Sequence, residues 1–206
     1  MDAAGFDRAD SYVKGIFMDS INTLTLAHRF LREKVKPGDF CIDATAGRGF
    51  DTVLLCELAG PEGKVLAFDI QEDAVACTRE KLATGGYDKM GTVYLESHSR
   101  MDLYAAEESV DCIVFNFGYL PGGDKRLFTH ADTSCEAILK GLALLKTGGA
   151  MCLSLYYGGP NGYGERDAIL DLVRSLDPKK FTVIICEFAN RKGDVPFPVF
   201  ILKGSY

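Results

Sequence analysis

Between residues 40 and 204 the chain alternates two hydrophobic periods, and that alternation restricts what it can fold into. Short apolar runs rich in Val, Ile, Phe and Tyr occur at 40–43, 64–70, 92–97, 109–117, 150–157, 181–189 and 198–204. Runs of this length read as strands, most of them buried on both faces. Helical periods lie between them. SINTLTLAHRFLREKV sets Ile21, Leu24, His28 and Leu31 on one face, and QEDAVACTREKLA opens with acids. DTSCEAILKGLALLKTGG starts with capping residues and ends in glycines, and YGERDAILDLVRSLDP stops at Pro178. Strand and helix in alternation make a parallel sheet with helices on both faces. The last two runs are joined only by NRKGDVPFP, with no helical pattern, so they are expected to pair as an antiparallel hairpin. The expected fold class is therefore α/β and Rossmann-like: a parallel five-stranded core plus a C-terminal antiparallel hairpin, in one domain over residues 1–206.

In such a sheet ligands sit beyond the carboxyl ends of the strands. The first strand ends at Asp43, and the loop Ala44, Thr45, Ala46, Gly47, Arg48, Gly49 faces that crevice before a helix begins near Asp51 and Thr52. Its small residues let backbone approach a ligand. A pyrophosphate would favour a bare helix N-terminus. Here Asp51 occupies that end, and Thr52 stands where the third glycine of a dinucleotide fingerprint would be. Asp43 and Asp51 would repel a diphosphate but suit a cationic ligand without phosphate. S-adenosylmethionine (SAM), with its sulfonium and amino group, fits. The second strand ends in Asp69, placed to accept hydrogen bonds from ribose hydroxyls. Ile70 can pack on adenine, Gln71 can reach the ring edge or a ribose hydroxyl, and Ser97 and His98 end the third strand near the adenine. Five parallel strands and a hairpin are also the outline of a class I SAM-dependent methyltransferase.

The fourth strand ends in NFGYLPGGDKR, which resembles the Asn-Pro-Pro-Tyr element of amino-group methyltransferases. In-line methyl transfer needs a neutral amine held with its lone pair on the methyl carbon. The Asn116 side-chain oxygen can accept the amine's hydrogens, Tyr119 can stack on a base, and Asp124 is a candidate to take the released proton. Residues 119–134, with Pro121, Gly122 and Gly123, lack a regular pattern and read as a substrate-side lid carrying Lys125, Arg126 and His130. Tyr156 or Tyr157, after the fifth strand, faces the same crevice, with one of the two expected in the core. His28 reads as a packed or capping histidine without an assigned role.

Net charge −6 argues against broad, sequence-blind nucleic-acid binding but permits a local patch, for which residues 124–126, 178–180 and 190–192 are candidates. Their plainer reading is solvated turns. The seven cysteines form no CxxC-type pair, which favours reduced buried thiols over disulfides or zinc. No apolar stretch of 18 residues occurs, and the first residues lack the order of a signal peptide, so no membrane association and a cytoplasmic location are expected.

Taken in order, DATAGRGFDT, FDIQ, SH at 97–98, NFGYLPGGDK, YYGG and FAN…PF resemble the small methyltransferases known as putative rRNA methylases, the MnmM/YtqB type. The resemblance spans residues 22–198. It implies methylation of the aminomethyl group of 5-aminomethyl-2-thiouridine at the tRNA wobble position, with the anticodon loop as partner and a homodimer as the assembly. It implies SAM contacts at Gly47, Arg48, Gly49, Asp51, Asp69, Gln71, Ser97 and His98. Arg48 stands where the family usually has Asn, Phe50 where a polar residue is frequent, and Gly159 where many relatives have His. Alternatives are methylation of rRNA or of a small-molecule amine. A nicotinamide oxidoreductase and a SAM-binding module without catalysis are readings from other classes; the missing third glycine and Asp51 count against the first, the intact NFGY element against the second.

Overall fold

In a computed structural model, the described residues are 21–118, 130–158 and 162–204. They form a seven-stranded sheet of order β3-β2-β1-β4-β5-β7-β6. The strands are β1 (Phe40–Asp43), β2 (Lys64–Asp69), β3 (Gly91–Leu95), β4 (Val110–Phe117), β5 (Leu145–Leu155), β6 (Phe181–Ile185) and β7 (Phe197–Lys203). β1 to β5 run parallel, and β7 lies antiparallel between β5 and β6. The expected hairpin is thus present, inserted so that β7 rather than β6 meets the parallel core.

Alternation along the strands divides the core in two. Cys41, Val65, Cys112, Val114, Cys152 and Phe200 point to one face. Helices α1 (Thr23–Lys34), α2 (Phe50–Ala59) and α3 (Glu72–Gly85) cover that face, contributing Leu31, Leu55 and Leu82. Ile42, Phe68, Ile113, Phe115, Met151 and Ile201 point to the other. There a 3₁₀ turn (His98–Leu103) and helices α4 (Ala131–Leu144) and α5 (Gly162–Ser175) bury Met101, Ile138 and Ile169. All seven cysteines are free thiols, four of them buried. Burial pushes Cys41, Cys112 and Cys152 well above the usual thiol range, so these thiols behave as small apolar side chains. No helix among the described residues is long and apolar enough to cross a membrane.

Three differences from the sequence expectation bear on the site. Helix α1 is rotated relative to the apolar face expected of it. It buries Thr23, Ala27 and Leu31, while Ile21 and Leu24 are 47% and 45% exposed. A capping box sets where the helix begins: Asn22 Oδ1 accepts from the Thr25 N–H and Thr25 Oγ1 from the Asn22 N–H, both at 2.9 Å. Phe30 then stacks on Phe200 with ring centroids 4.1 Å apart. The side of α1 carrying Leu24 and His28 therefore turns toward the ends of β1 and β4. Strand β5 begins at Leu145, inside what reads as a helix end, because its register to β4 jumps between Val110–Leu145 and Cys112–Ala150 and residues 146–149 bulge out. Finally, α4 starts at Ala131 with His130 as N-cap. Residues 131–134 of the expected lid are thus the first turn of a helix, anchored where buried Ser134 donates to Glu165 of α5 at 2.6 Å.

Candidate active site

The carboxyl ends of β1, β2 and β4 open into a cavity of about 710 Å³. Its wall is built first by the β1–α2 loop. Gly47 and Gly49 hold φ of +52° and +76°, in the left-handed region that glycine adopts without penalty. A Cβ on Gly49 would lie 2.9 Å from Thr78 Oγ1 and 3.0 Å from Thr78 Cα, so α3 packs directly on this turn. The Thr78 hydroxyl in turn donates to the Gly47 carbonyl at 3.2 Å. Ala44 N–H donates to the Val114 carbonyl and Ala46 N–H to the Phe68 carbonyl, each at 2.8 Å, which pins the loop across the three strand ends.

Asp69 closes the turn from β2. Its Oδ2 accepts from the Gly47 N–H at 2.8 Å and its Oδ1 from the Gln71 N–H at 2.9 Å. Each carboxylate oxygen can accept a second hydrogen bond, so the same group that shapes the turn keeps acceptor capacity toward the cavity it lines. Asp51, in the first turn of α2, is held twice. Its Oδ1 pairs with His28 Nε2 at 2.7 Å, and its Oδ2 accepts from Asn116 Nδ2 at 2.8 Å. The Asn116 backbone N–H donates to Thr45 Oγ1 at 2.7 Å. α1, the glycine loop and β4 thus meet at one carboxylate.

Of the residues expected to touch a ligand, Asp43, Gly49 and Thr52 do not line the cavity. Asp43 and Thr52 are fully buried, and the Thr52 hydroxyl donates to Asp43 Oδ2 at 2.6 Å while the Thr45 N–H reaches Oδ1 at 3.2 Å. They shape the loop from behind. Burial first, and the neighbouring Asp51 carboxylate next, push Asp43 up to about 7. The acids that face the cavity are instead Asp51, Asp69, Glu96 and Asp194, with Arg48 as a cation among the lining residues. Because the folded state holds the Asp43 proton more tightly than the unfolded chain, stability falls as pH rises from the ordinary carboxylate range to about 7. Asp43→Asn, whose amide can accept from Thr45 and donate to Thr52, is expected to flatten the melting temperature between pH 5 and pH 8 relative to the parent. Parallel melting profiles for the two proteins would refute this assignment.

Ala44, Thr45, Gly47, Arg48, Ile70, Gln71, Ser97, His98, Asn116 and Tyr156 all line the cavity. His98 stands edge-on to Phe115 and Phe117, with centroids 6.1 and 6.3 Å away. Among the described residues, its Nε2 is a buried side-chain nitrogen without a hydrogen-bond partner. Burial lowers its pKa to about 4, so the ring is neutral at physiological pH. Both tyrosines reach the wall, and Tyr157 is the anchored one: its hydroxyl donates to the Val195 carbonyl at 3.1 Å and its ring packs on Phe197. Tyr119, Asp124, Lys125 and Arg126 lie outside the described residues. Arg191 stacks on Phe188 at 3.9 Å and donates to the Ile21 carbonyl, which ties the 190–192 cluster to the start of α1.

Sequence reasoning missed His28, and it missed Leu24, Thr133, Asp194 and Pro196 in the wall. For His28 a signal existed. A polar residue one turn after Leu24 interrupts the apolar stripe, but only the rotation of α1 shows which way it points.

Comparison with known proteins adds three findings. The family profile described as putative rRNA methylase matches residues 65–202. An Arabidopsis thaliana protein named tRNA (mnm(5)s(2)U34)-methyltransferase, chloroplastic, is 35% identical over 188 residues, 86% of this chain and 68% of its own length. Two crystal structures superpose closely. A putative rRNA-methylase from Clostridium thermocellum has TM-score 0.87 and 37% identity, covering 90% of this chain and 100% of that one. A putative methyltransferase from Streptococcus mutans, solved in complex with SAH, has TM-score 0.81 and 36% identity, covering 90% and 99%.

Proposed function

Because this chain belongs to the putative rRNA methylase family and is a SAM-dependent methyltransferase of the class I fold, we propose that its methyl acceptor is the aminomethyl group of 5-aminomethyl-2-thiouridine at the tRNA wobble position. The observation that carries this reading is the Asn116–Asp51 bond. A carboxylate oxygen only accepts, so the Asn116 nitrogen is the atom turned to Asp51 at 2.8 Å. Its carbonyl oxygen is left for the cavity. An acceptor there suits a nucleophile that brings hydrogens, as an amine does. The relative in Arabidopsis thaliana carries the same wobble modification in its name.

The residues present fit the methyl donor. SAM, when bound, supplies an electrophilic methyl group on a sulfonium. Asp69 would hold the ribose hydroxyls on its remaining lone pairs, with Gln71 beside it. Ile70, 57% exposed at the cavity wall, offers an apolar surface to the adenine. The unpartnered His98 nitrogen and the neighbouring Ser97 offer hydrogen-bonding groups in the same lobe. Asp51 places negative charge where a cationic sulfonium is stabilised. Asn116 orients the amine by accepting one of its hydrogens, which aims the lone pair.

An alkylamine near the ordinary lysine range is mostly protonated in neutral water, so the acceptor must shed a proton before it attacks. Asp124, in the segment outside the described residues, keeps its place as the group to take that proton. Tyr119, Lys125 and Arg126 would reach the nucleotide from the same segment, and Tyr156 from the wall. A wobble nucleotide in a single-stranded loop can be splayed out and stacked on such an aromatic. On this reading the chain works as one methyltransferase domain, in a cytoplasm-like reducing compartment that keeps its seven thiols free.

The test is direct. Purified protein, SAM and tRNA bearing 5-aminomethyl-2-thiouridine are incubated, and the digested nucleosides are weighed by mass spectrometry. A gain of one methyl on that nucleoside, reduced by Asn116→Ala, is the expected result. Transfer to rRNA or to small amines but not to this tRNA would overturn the substrate while leaving the enzyme class intact.

A further inference from the structure

Three side chains from three distant segments are joined in a line at the cavity: His28 of α1, Asp51 of α2 and Asn116 at the end of β4. The His28 and Asp51 side chains are 27% and 12% exposed, and their contact is 2.7 Å. Asp51 and Asn116 line the cavity; His28 does not. We infer that His28 is a positioning residue for methyl transfer, holding Asp51 so that Asp51 in turn holds the Asn116 amide with its oxygen toward the acceptor amine. This inference rests on the amine reading given above and extends it to a residue that touches neither methyl donor nor acceptor.

The physical argument starts from the Asn116 side chain. An amide whose two ends are alike in size has no steric reason to prefer one orientation over its flip. Only hydrogen bonding decides it. If the amide turned over, its N–H₂ would face the amine, two donors would oppose each other, and the lone pair would lose its alignment. Asp51 prevents this because it accepts and cannot donate when ionised. Asp51 itself hangs at the N-terminus of α2 on a side chain with free rotation. The imidazole fixes that rotation by engaging Oδ1, which leaves Oδ2 for Asn116. Charge-assisted bonds of this kind, partly shielded from water, are the stronger class of hydrogen bond.

Helix α1 is seated well enough to serve as the anchor. Its capping box fixes the first turn, and Ala27 and Leu31 are buried against the sheet one residue before His28 and three after it. The Thr23 hydroxyl donates to the Pro196 carbonyl at 2.5 Å, and Pro196 is part of the cavity wall. The ring nitrogen thus stands on a rigid element, as positioning of a reacting group requires.

The arrangement also distinguishes amines from carbon acceptors. A carbon nucleophile brings no N–H to the Asn116 oxygen, so it gains nothing from the clamp. An amine gains alignment only while the clamp is intact. The consequence is a loss in kcat with little change in methyl-donor affinity when His28 is removed.

The experiment compares the parent with His28→Ala, His28→Gln and Asp51→Asn. Glutamine can offer an amide N–H to Asp51 at a similar distance from the backbone. With stem-loop RNA carrying 5-aminomethyl-2-thiouridine, His28→Ala is expected to lower kcat roughly 10–100-fold, at or below the lower limit of what a direct acid–base group contributes, because His28 acts through Asp51. His28→Gln is expected to recover most of that loss. The affinity for S-adenosylhomocysteine, measured by calorimetry, is expected to stay within about a factor of three in both. Independently of turnover, the Asn116 side-chain N–H₂ signals in ¹⁵N-labelled protein should show one proton shifted downfield by the carboxylate. That shift should vanish in Asp51→Asn and weaken in His28→Ala. Equal kcat in parent and His28→Ala would overturn the inference. So would a glutamine variant as impaired as the alanine one, or unchanged Asn116 signals in Asp51→Asn. If the parent fails to methylate the stem-loop, the substrate reading falls while the Asn116 signals still decide whether the clamp exists.

Discussion

Asp69→Ala is expected to weaken binding of S-adenosylhomocysteine roughly 100–10,000-fold, a loss built from two charge-assisted hydrogen bonds of about 1.5–3 kcal/mol each. The variant loses more than its ligand contacts. The Gly47 and Gln71 N–H groups, now bonded to the carboxylate at 2.8 and 2.9 Å, lose their acceptor, so the turn that shapes the cavity loosens as well. Asp69→Asn separates the two contributions. The asparagine oxygen can still accept from one N–H, but its nitrogen opposes the other and can offer only donors to the ligand on that side. Its affinity should fall between parent and alanine variant. Calorimetric titration with S-adenosylhomocysteine reads this without any acceptor present. A dissociation constant unchanged in Asp69→Ala would remove Asp69 from the ligand's contacts and leave it a purely structural cap.

Gly49→Ala is expected to be the most destabilising single-methyl substitution in the loop. Its φ of +76° costs a residue with a Cβ about 1–2 kcal/mol. The new methyl would also meet Thr78 at 2.9–3.0 Å, and overpacking of that kind costs roughly 1–3 kcal/mol. Together these should lower the melting temperature by roughly 5–15 °C for a chain of this length. Thr78→Ala in the same background removes the Oγ1 and Cγ2 contacts but not the one to Cα, so it should recover part of the overpacking cost and leave the backbone part. Melting temperatures of the single and double variants check this, and equal losses with and without Thr78 would show that only the backbone matters. Gly60, also at positive φ but with open space around it, is a control for the backbone cost alone.

Both predictions concern the β1–α2 turn, and that turn shows how differently the two levels of description inform the site. The glycines, Asp51 and Asp69 stand out in the linear chain because spacing after an apolar strand is a local property. Strand–helix alternation is local too, so the order of elements and the terminal hairpin follow from period alone. The expected ribose carboxylate, adenine-side residues and amide acceptor all come together at one cavity for that reason. They are the residues that end consecutive parallel strands, and parallel strands end on the same side.

What stayed hidden depended on rotation and burial. The rotation of α1 about its axis is set by Phe30 against Phe200, 170 residues later, and by the Thr23 bond to Pro196. No period within the helix carries that choice, since Leu24 is as apolar as Leu31. His28 consequently looked like part of the core face and stands instead behind Asp51. Asp43 presents the opposite case. Its position after a strand marks it as a site residue, but full burial and the bond from Thr52 turn it into a support for the loop and push it toward neutrality. The sequence by itself determined the layered α/β architecture, the crevice and the kind of ligand its turn accepts, because those follow from local period and from the chemistry of a few spaced residues. Which carboxylate faces the cavity, which lies behind it, and which histidine holds it were decided only by tertiary packing, because orientation about a helix axis and exclusion of water are properties of contacts between segments far apart in the chain.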